Sequence, residues 1–148
     1  MTALVRSEKD TEVVRATGVA DVVHGSHDDL EKIQKLAAQA DIVVNAADAD
    51  DLPLTKAILQ GLKTRSMTVA YSPILIHTSG TGVISDQAEG EFAPSGQKIW
   101  NVRSVVFTIV VFMNPMDRFK DNSEDDIRSI PPEQPHRLID LEYVDPRS

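Results

Sequence analysis

Asp41-Ile42-Val43-Val44-Asn45-Ala46-Ala47-Asp48 decides how the rest of the chain is read. The run from Ile42 to Ala47 opens on three branched apolar side chains and shows little alternation. A strand of that kind is expected to be buried on both faces, as in a parallel sheet. After it, Leu52 to Lys63 reads as a helix. Pro53 suits its first turn, and Leu54, Ala57, Ile58 and Leu62 fall on one face. Pro73 to Thr78 then reads as a further strand.

Working back from Asp41, Asp28 to Gln39 reads as a helix. Leu30, Ile33, Leu36, Ala37 and Ala40 recur at helical spacing and predict a buried stripe. Asp28, Asp29 and Glu31 stand in its first turn, where the helix dipole favours negative charge. Ala20 to His24 is another apolar run, closed by Gly25. Ser7-Glu8-Lys9-Asp10 fits a capping box with Ser7 as N-cap, so a short helix is expected next. Val13, Val14 and Ala16 would form its apolar side, and Gly18 its stop. Thr2 to Val5 is the first strand.

Strand, helix, strand, helix, strand, joined by short connections, implies right-handed crossovers and a parallel sheet. The expected class is α/β. The second half changes character. Residues 79–96 are rich in Gly, Ser, Asp and Glu and read as loop. Val105 to Phe112 is strongly β-prone. Asp121 to Asp126 is acidic, Pro131-Pro132 breaks the chain, and His136 to Val144 reads as a short helix.

Composition narrows the function classes. The chain has 148 residues, 41% hydrophobic and 26% charged, enough for one folded core. A net charge of −8 repels phosphate backbones, so nucleic acid is an unexpected partner. The absence of cysteine excludes disulfides, thiolate metal sites and a cysteine nucleophile. Met1 to Ser7 carries no apolar signal core, and Val105 to Met113 is too short to span a bilayer as a helix. A cytoplasmic location and no membrane partner are the expectation.

In open α/β sheets, ligands bind outside the carboxyl ends of the strands. The first strand ends at Arg6-Ser7. An arginine there suits the 2′-phosphate of NADP, but equally reads as a solvated charge beside a helix cap. The second ends at Gly25-Ser26-His27-Asp28, which either touches an adenine edge or only starts the next helix. The third ends at Asn45-Ala46-Ala47-Asp48, where small side chains admit a cofactor. Asp48, Asp50 and Asp51 follow at a helix N-terminus, and we expect capping rather than a metal. The fourth ends at His77-Thr78-Ser79-Gly80, where hydroxyls either bond a substrate carbonyl or make a polar turn.

In order, Thr-Ala-Leu-Val-Arg-Ser, Val-Val-His-Gly-Ser-His-Asp-Asp-Leu, Ala-Asp-Ile-Val-Val-Asn-Ala-Ala-Asp and Ile-Leu-Ile-His-Thr-Ser-Gly-Thr-Gly resemble extended or atypical short-chain dehydrogenases/reductases. The likeness is to nucleotide-sugar-epimerase-like members common in fungi. It covers Thr2 to Val83 and resumes at Pro131 to Arg137. It implies a Rossmann fold, a bound NADP (or NAD), and hydride chemistry on a small carbonyl or sugar-nucleotide substrate. By position, Arg6 and Ser7 would meet the adenosine phosphate. Ser26 and His27 would lie by adenine, with Ala46, Ala47 and Thr78 along the cofactor. Ser79 would match the family's catalytic Ser/Thr.

The chain departs from that pattern in three ways. No G-x-x-G-x-x-G precedes Thr2, so the Rossmann domain is expected to be incomplete, without its first strand and phosphate loop. Two half-sheets with open edges would then face each other. The family's Tyr-x-x-x-Lys pair is replaced by His136 and Asp140 at the same spacing. His136 is able to move a proton, whereas an aspartate does not replace a cationic lysine. Asn101 to Lys120 has no counterpart. It reads as translated intron sequence, or else as a strand able to fill the vacant central position. Spliced transcripts that keep it between coding stretches would exclude the intron reading. The expected organisation is thus 1–100 as a partial NAD(P)-binding domain, 101–120 as an apolar insert, and 121–148 as an acidic, proline-containing tail. An inactive chain, or a non-catalytic dinucleotide-binding regulatory module, follows from these departures.

Overall fold

A computed structural model describes residues 1–80, 108–112 and 130–144. Their order is β1 (Thr2–Val5), α1 (Asp10–Ala16), β2 (Asp21–His24), α2 (Leu30–Ala37), β3 (Ile42–Asn45), α3 (Leu52–Ser66), β4 (Ile74–Thr78), β5 (Thr108–Phe112) and α4 (Arg137–Val144). The class is α/β, as the sequence led us to expect.

The strands form two small sheets, β1-β2 and β3-β4-β5. β1 runs parallel to β2, with Leu4 opposite Val23. β3 runs parallel to β4, with Val43 opposite Leu75. Each parallel pair is linked through a helix, as a parallel connection requires. β5 lies antiparallel to β4, with Leu75 opposite Val111. So 108–112 is a strand, but it takes the place beside β4 rather than one between β1 and β3. The rest of the 101–120 segment and residues 121–129 lie outside the described residues.

The core collects Ile33 and Ala37 of α2, Leu54, Ala57, Ile58 and Leu62 of α3, Leu75 of β4 and Ile139 of α4. Leu4 and Val43, one from each sheet, pack against it. Leu62 and Leu75 are completely buried. Burying one such side chain contributes about 1.5–3 kcal/mol. α2 and α3 cross closely at Gly61. A side chain there would run into the Gln34 carbonyl and come within 2.6 Å of the Ala37 Cβ.

Several local expectations need correction. Ser7 does not cap α1; the helix starts at Asp10, and the Ser7 hydroxyl instead accepts from the Lys9 amide at 3.3 Å. The Ser7 carbonyl closes a turn on the Asp10 amide, which delays helix entry. Val13 is exposed while Thr11 is buried, because the Thr11 hydroxyl bonds the His24 imidazole at 3.1 Å and turns that face inward. On α2, Leu30 is exposed, being the first helical residue, and burial centres on Ile33 and Ala37. β3 is not buried on both faces. Val43 and Asn45 turn inward, while Ile42 and Val44 are exposed. Among the described residues, no element covers that outer face.

α3 follows its sequence signals closely. Asp51 caps it by accepting from the Leu54 amide at 2.9 Å, and Pro53 stands in its first turn. Its far end is tied to the start of β3. Arg65 donates to Asp41 at 2.7 Å, and the Tyr71 hydroxyl donates to the same oxygen at 2.7 Å. These bonds, the tyrosine's above all, hold the Asp41 carboxyl below its ordinary range. The carboxyl ends of β3 and β4 lie at the other end of the strands.

Candidate functional site at the carboxyl ends of β3 and β4

β3 ends at Asn45 and β4 at Thr78, side by side because the two strands are parallel and in register. Alternation along β4 turns Leu75 and His77 inward. His77 is fully buried, and the Asn45 side-chain amide donates to its Nδ1 at 3.1 Å. Burial and, after it, the neighbouring His136 push the His77 pKa below its ordinary value.

Just past β4, Ser79 is buried and donates from its hydroxyl to Asp140 at 3.3 Å. Asp140 sits in the first turn of α4. Burial drives its carboxyl up to about 6, against the Ser79 hydrogen bond and the positive Arg137. Arg137 is itself buried, which lowers its pKa while Asp140 opposes the shift. Among the described residues, the Arg137 Nε and Nη1 and one Asp140 oxygen have no hydrogen-bond partner.

His136 precedes α4 with a positive φ of 65°, a backbone conformation rare for a residue with a side chain. Its Nδ1 lies 2.7 Å from the Asp50 carboxylate, in the loop after β3. Its Nε2 lies against Gly80, so closely that a Cβ at Gly80 would overlap the imidazole. The glycine is what lets the ring in.

The sequence-predicted residues therefore fall into two groups. Thr78 is exposed at the end of β4, Ser79 after it is buried, and His136 is half-buried against Gly80. Ala46 and Ala47 are exposed after β3, and the Ala47 amide donates to the Asn45 side chain at 3.4 Å. Arg6 is exposed after β1, and Ser7 is half-buried. Ser26 and half-buried His27 follow β2, beside them, since the Gly25 amide bonds the Val5 carbonyl at 3.0 Å. The Ser26 hydroxyl donates to Asp28 at 3.1 Å and its amide donates to Asp29 at 2.9 Å, so both are engaged at the entry to α2. No hydrogen bond or ion pair among the described residues joins the Arg6 group to the Ser79 group.

Asn45, His77 and Gly80 lay in the strand-end segments inspected and Asp50 was read as a capping carboxylate, but none of the four was given a part in the site. The one available signal was the spacing of His77 and Ser79 on either side of the end of β4. A surface cleft of about 660 Å³ runs along α2, past Asp29, Lys32, Lys35 and Gln39, and none of the predicted site residues lines it. Among the described residues, no group of three or more His, Asp or Glu side chains is placed to hold a metal. None of their helices is long and apolar enough to cross a membrane.

No family model matches the chain, and no solved structure matches it. Among curated proteins it is similar to Oxidase ucsJ of Acremonium sp., with 36% identity over 104 residues. The aligned part is 68% of this chain but 29% of that protein, so the chain spans less than a third of the relative's length.

Proposed function

We propose that the chain is part of an oxidoreductase using NADP, with NAD as the alternative, on a small carbonyl or sugar-nucleotide substrate. The observation that carries this reading is the packing of His136 onto Gly80 beside Ser79. It brings a group able to move a proton against the residue that follows the Ser79 hydroxyl, at the carboxyl end of a parallel strand, where such sheets bind ligands. The likeness to an oxidase supports the same class of chemistry. Ser79 orients the reacting oxygen and His136 handles its proton.

The adenosine end of the dinucleotide suits the residues present. Arg6 is exposed at the end of β1 and has no ion-pair partner among the described residues. The pyrophosphate does not suit them. The entries to the first three helices carry their own carboxylates: Asp10 and Glu12 on α1, Asp29 and Glu31 on α2, Asp51 on α3. Asp51 caps α3, and the carboxylates at the entries to α1 and α2 would repel a pyrophosphate from those positive helix ends. Weak cofactor binding and little or no turnover by these 148 residues are the expected result.

Titration of the purified chain with NADP and NAD tests this. NADP is expected to bind more tightly, and Arg6→Ala to erase the preference. Tighter NAD binding would reverse the cofactor assignment, and turnover of an NADPH-linked carbonyl substrate would refute the expected inactivity. Binding without turnover would match a regulatory module. Aggregation with no binding on size-exclusion chromatography would mark a segment without independent function.

A further inference from the structure

We infer that Asp50 is a positioning residue for His136, fixing the imidazole tautomer so that the nitrogen lying against Gly80, Nε2, is left as the hydrogen-bond acceptor. The inference rests on the proposal that His136 handles the proton of the reacting oxygen.

Three observations carry it. First, Asp50 and His136 are far apart in sequence, yet the carboxylate lies 2.7 Å from Nδ1. An ionised carboxylate only accepts, so Nδ1 must carry the hydrogen. The neutral ring then has its lone pair on Nε2. Second, Nε2 is aimed at Gly80, where any side chain would displace it. Third, the ring is held there through a left-handed backbone at His136, a strained conformation that persists only when its surroundings fix it.

The neighbouring groups agree with this assignment. The Ser79 proton is directed to Asp140, and His77 is bonded through its own Nδ1 to Asn45, so neither of these two bonds involves His136. Asp50 has a side chain that is 63% exposed, so it is not needed to fill the core. Its backbone amide is bonded separately, to Asp48 at 2.9 Å. A carboxylate in that place serves the ring it faces.

The experiment is nitrogen-15 NMR of the imidazoles in the full 148-residue chain, without cofactor. Of the four histidines, His136 is assigned as the signal lost in a His136→Gln variant. In the wild type at alkaline pH, His136 is expected in the Nδ1–H form. In Asp50→Ala the ring should shift towards the Nε2–H form that an unconstrained imidazole favours, with the backbone amide spectrum otherwise preserved. An Nε2–H form in the wild type would overturn the inference, and so would an unchanged tautomer in Asp50→Ala. The readout needs no dinucleotide. A failed NADP titration would remove the proposed function and leave this result standing, and the reverse holds equally.

Discussion

Replacing Gly61 by alanine is expected to destabilise the fold by about 2 kcal/mol and to lower the melting temperature by about 4–8 °C. In an exposed helix the same change would gain about 1 kcal/mol, because alanine is the better helix former. The sign is reversed here by the α2–α3 crossing. The new methyl would meet the Gln34 carbonyl, the Ala37 Cβ at 2.6 Å and the Ala38 nitrogen at 3.0 Å. Two of these are backbone atoms of a helix, which do not swing aside as a flexible side chain does. The two helices must separate, and Ile33, Ala37, Ile58 and Leu62 lose packing together. Thermal unfolding followed by circular dichroism checks this. A raised melting temperature would show that the helices do not cross at Gly61.

The second large effect is on pH dependence. Asp140 is expected to remove about 3 kcal/mol of stability between about pH 4 and pH 8. Its carboxyl rises from 3.8 to about 6 on folding, chiefly through burial. The folded chain therefore holds this proton more tightly than the unfolded chain. The stabilisation is complete below the unfolded value and is lost as the pH rises through about 6. Asp29 and Asp41 act in the opposite direction. Their carboxyls are lowered, by the Ser26 amide and by Tyr71 respectively, so their contribution is lost towards acid. Urea unfolding of the wild type and Asp140→Asn across this range separates the terms. The difference should move in the variant's favour by about 3 kcal/mol as the pH rises. A difference that stays constant, or moves the other way, would contradict a buried carboxyl at Asp140.

The strands and helices were legible because their signals are local. Thr2–Val5 and Ile74–Thr78 are short apolar runs bounded by polar residues or proline, and α3 announces itself through Asp51, Pro53 and a regular apolar face. Exposure was less legible. Ile42 and Val44 read as buried, but sequence does not say which neighbour covers a strand's second face. The Ser7 capping box failed because a turn competes with the helix for the same residues.

The candidate site was half legible. Ser79 was marked by its place after the fourth strand, and His136 by standing where the resembled family has its catalytic tyrosine. What joins them was not, since Ser79 meets Asp140 across 61 positions and His136 meets Asp50 across 86. Contacts of that range come from the folding of α4 onto the carboxyl end of β4, and no periodicity records them. The spacing of His136 and Asp140 was read against the Tyr-x-x-x-Lys pair of the resembled family. It did not show that the two side chains serve different partners, Asp50 for one and Ser79 for the other.

The account stands on the entry to α4 carrying His136 onto the tip of β4. Nuclear Overhauser contacts between the His136 ring protons and the Gly80 α-protons test that directly. Strong cross-peaks that vanish in His136→Gln are the expected result. A well-dispersed spectrum in which the His136 ring shows contacts elsewhere and none to Gly80 would contradict it.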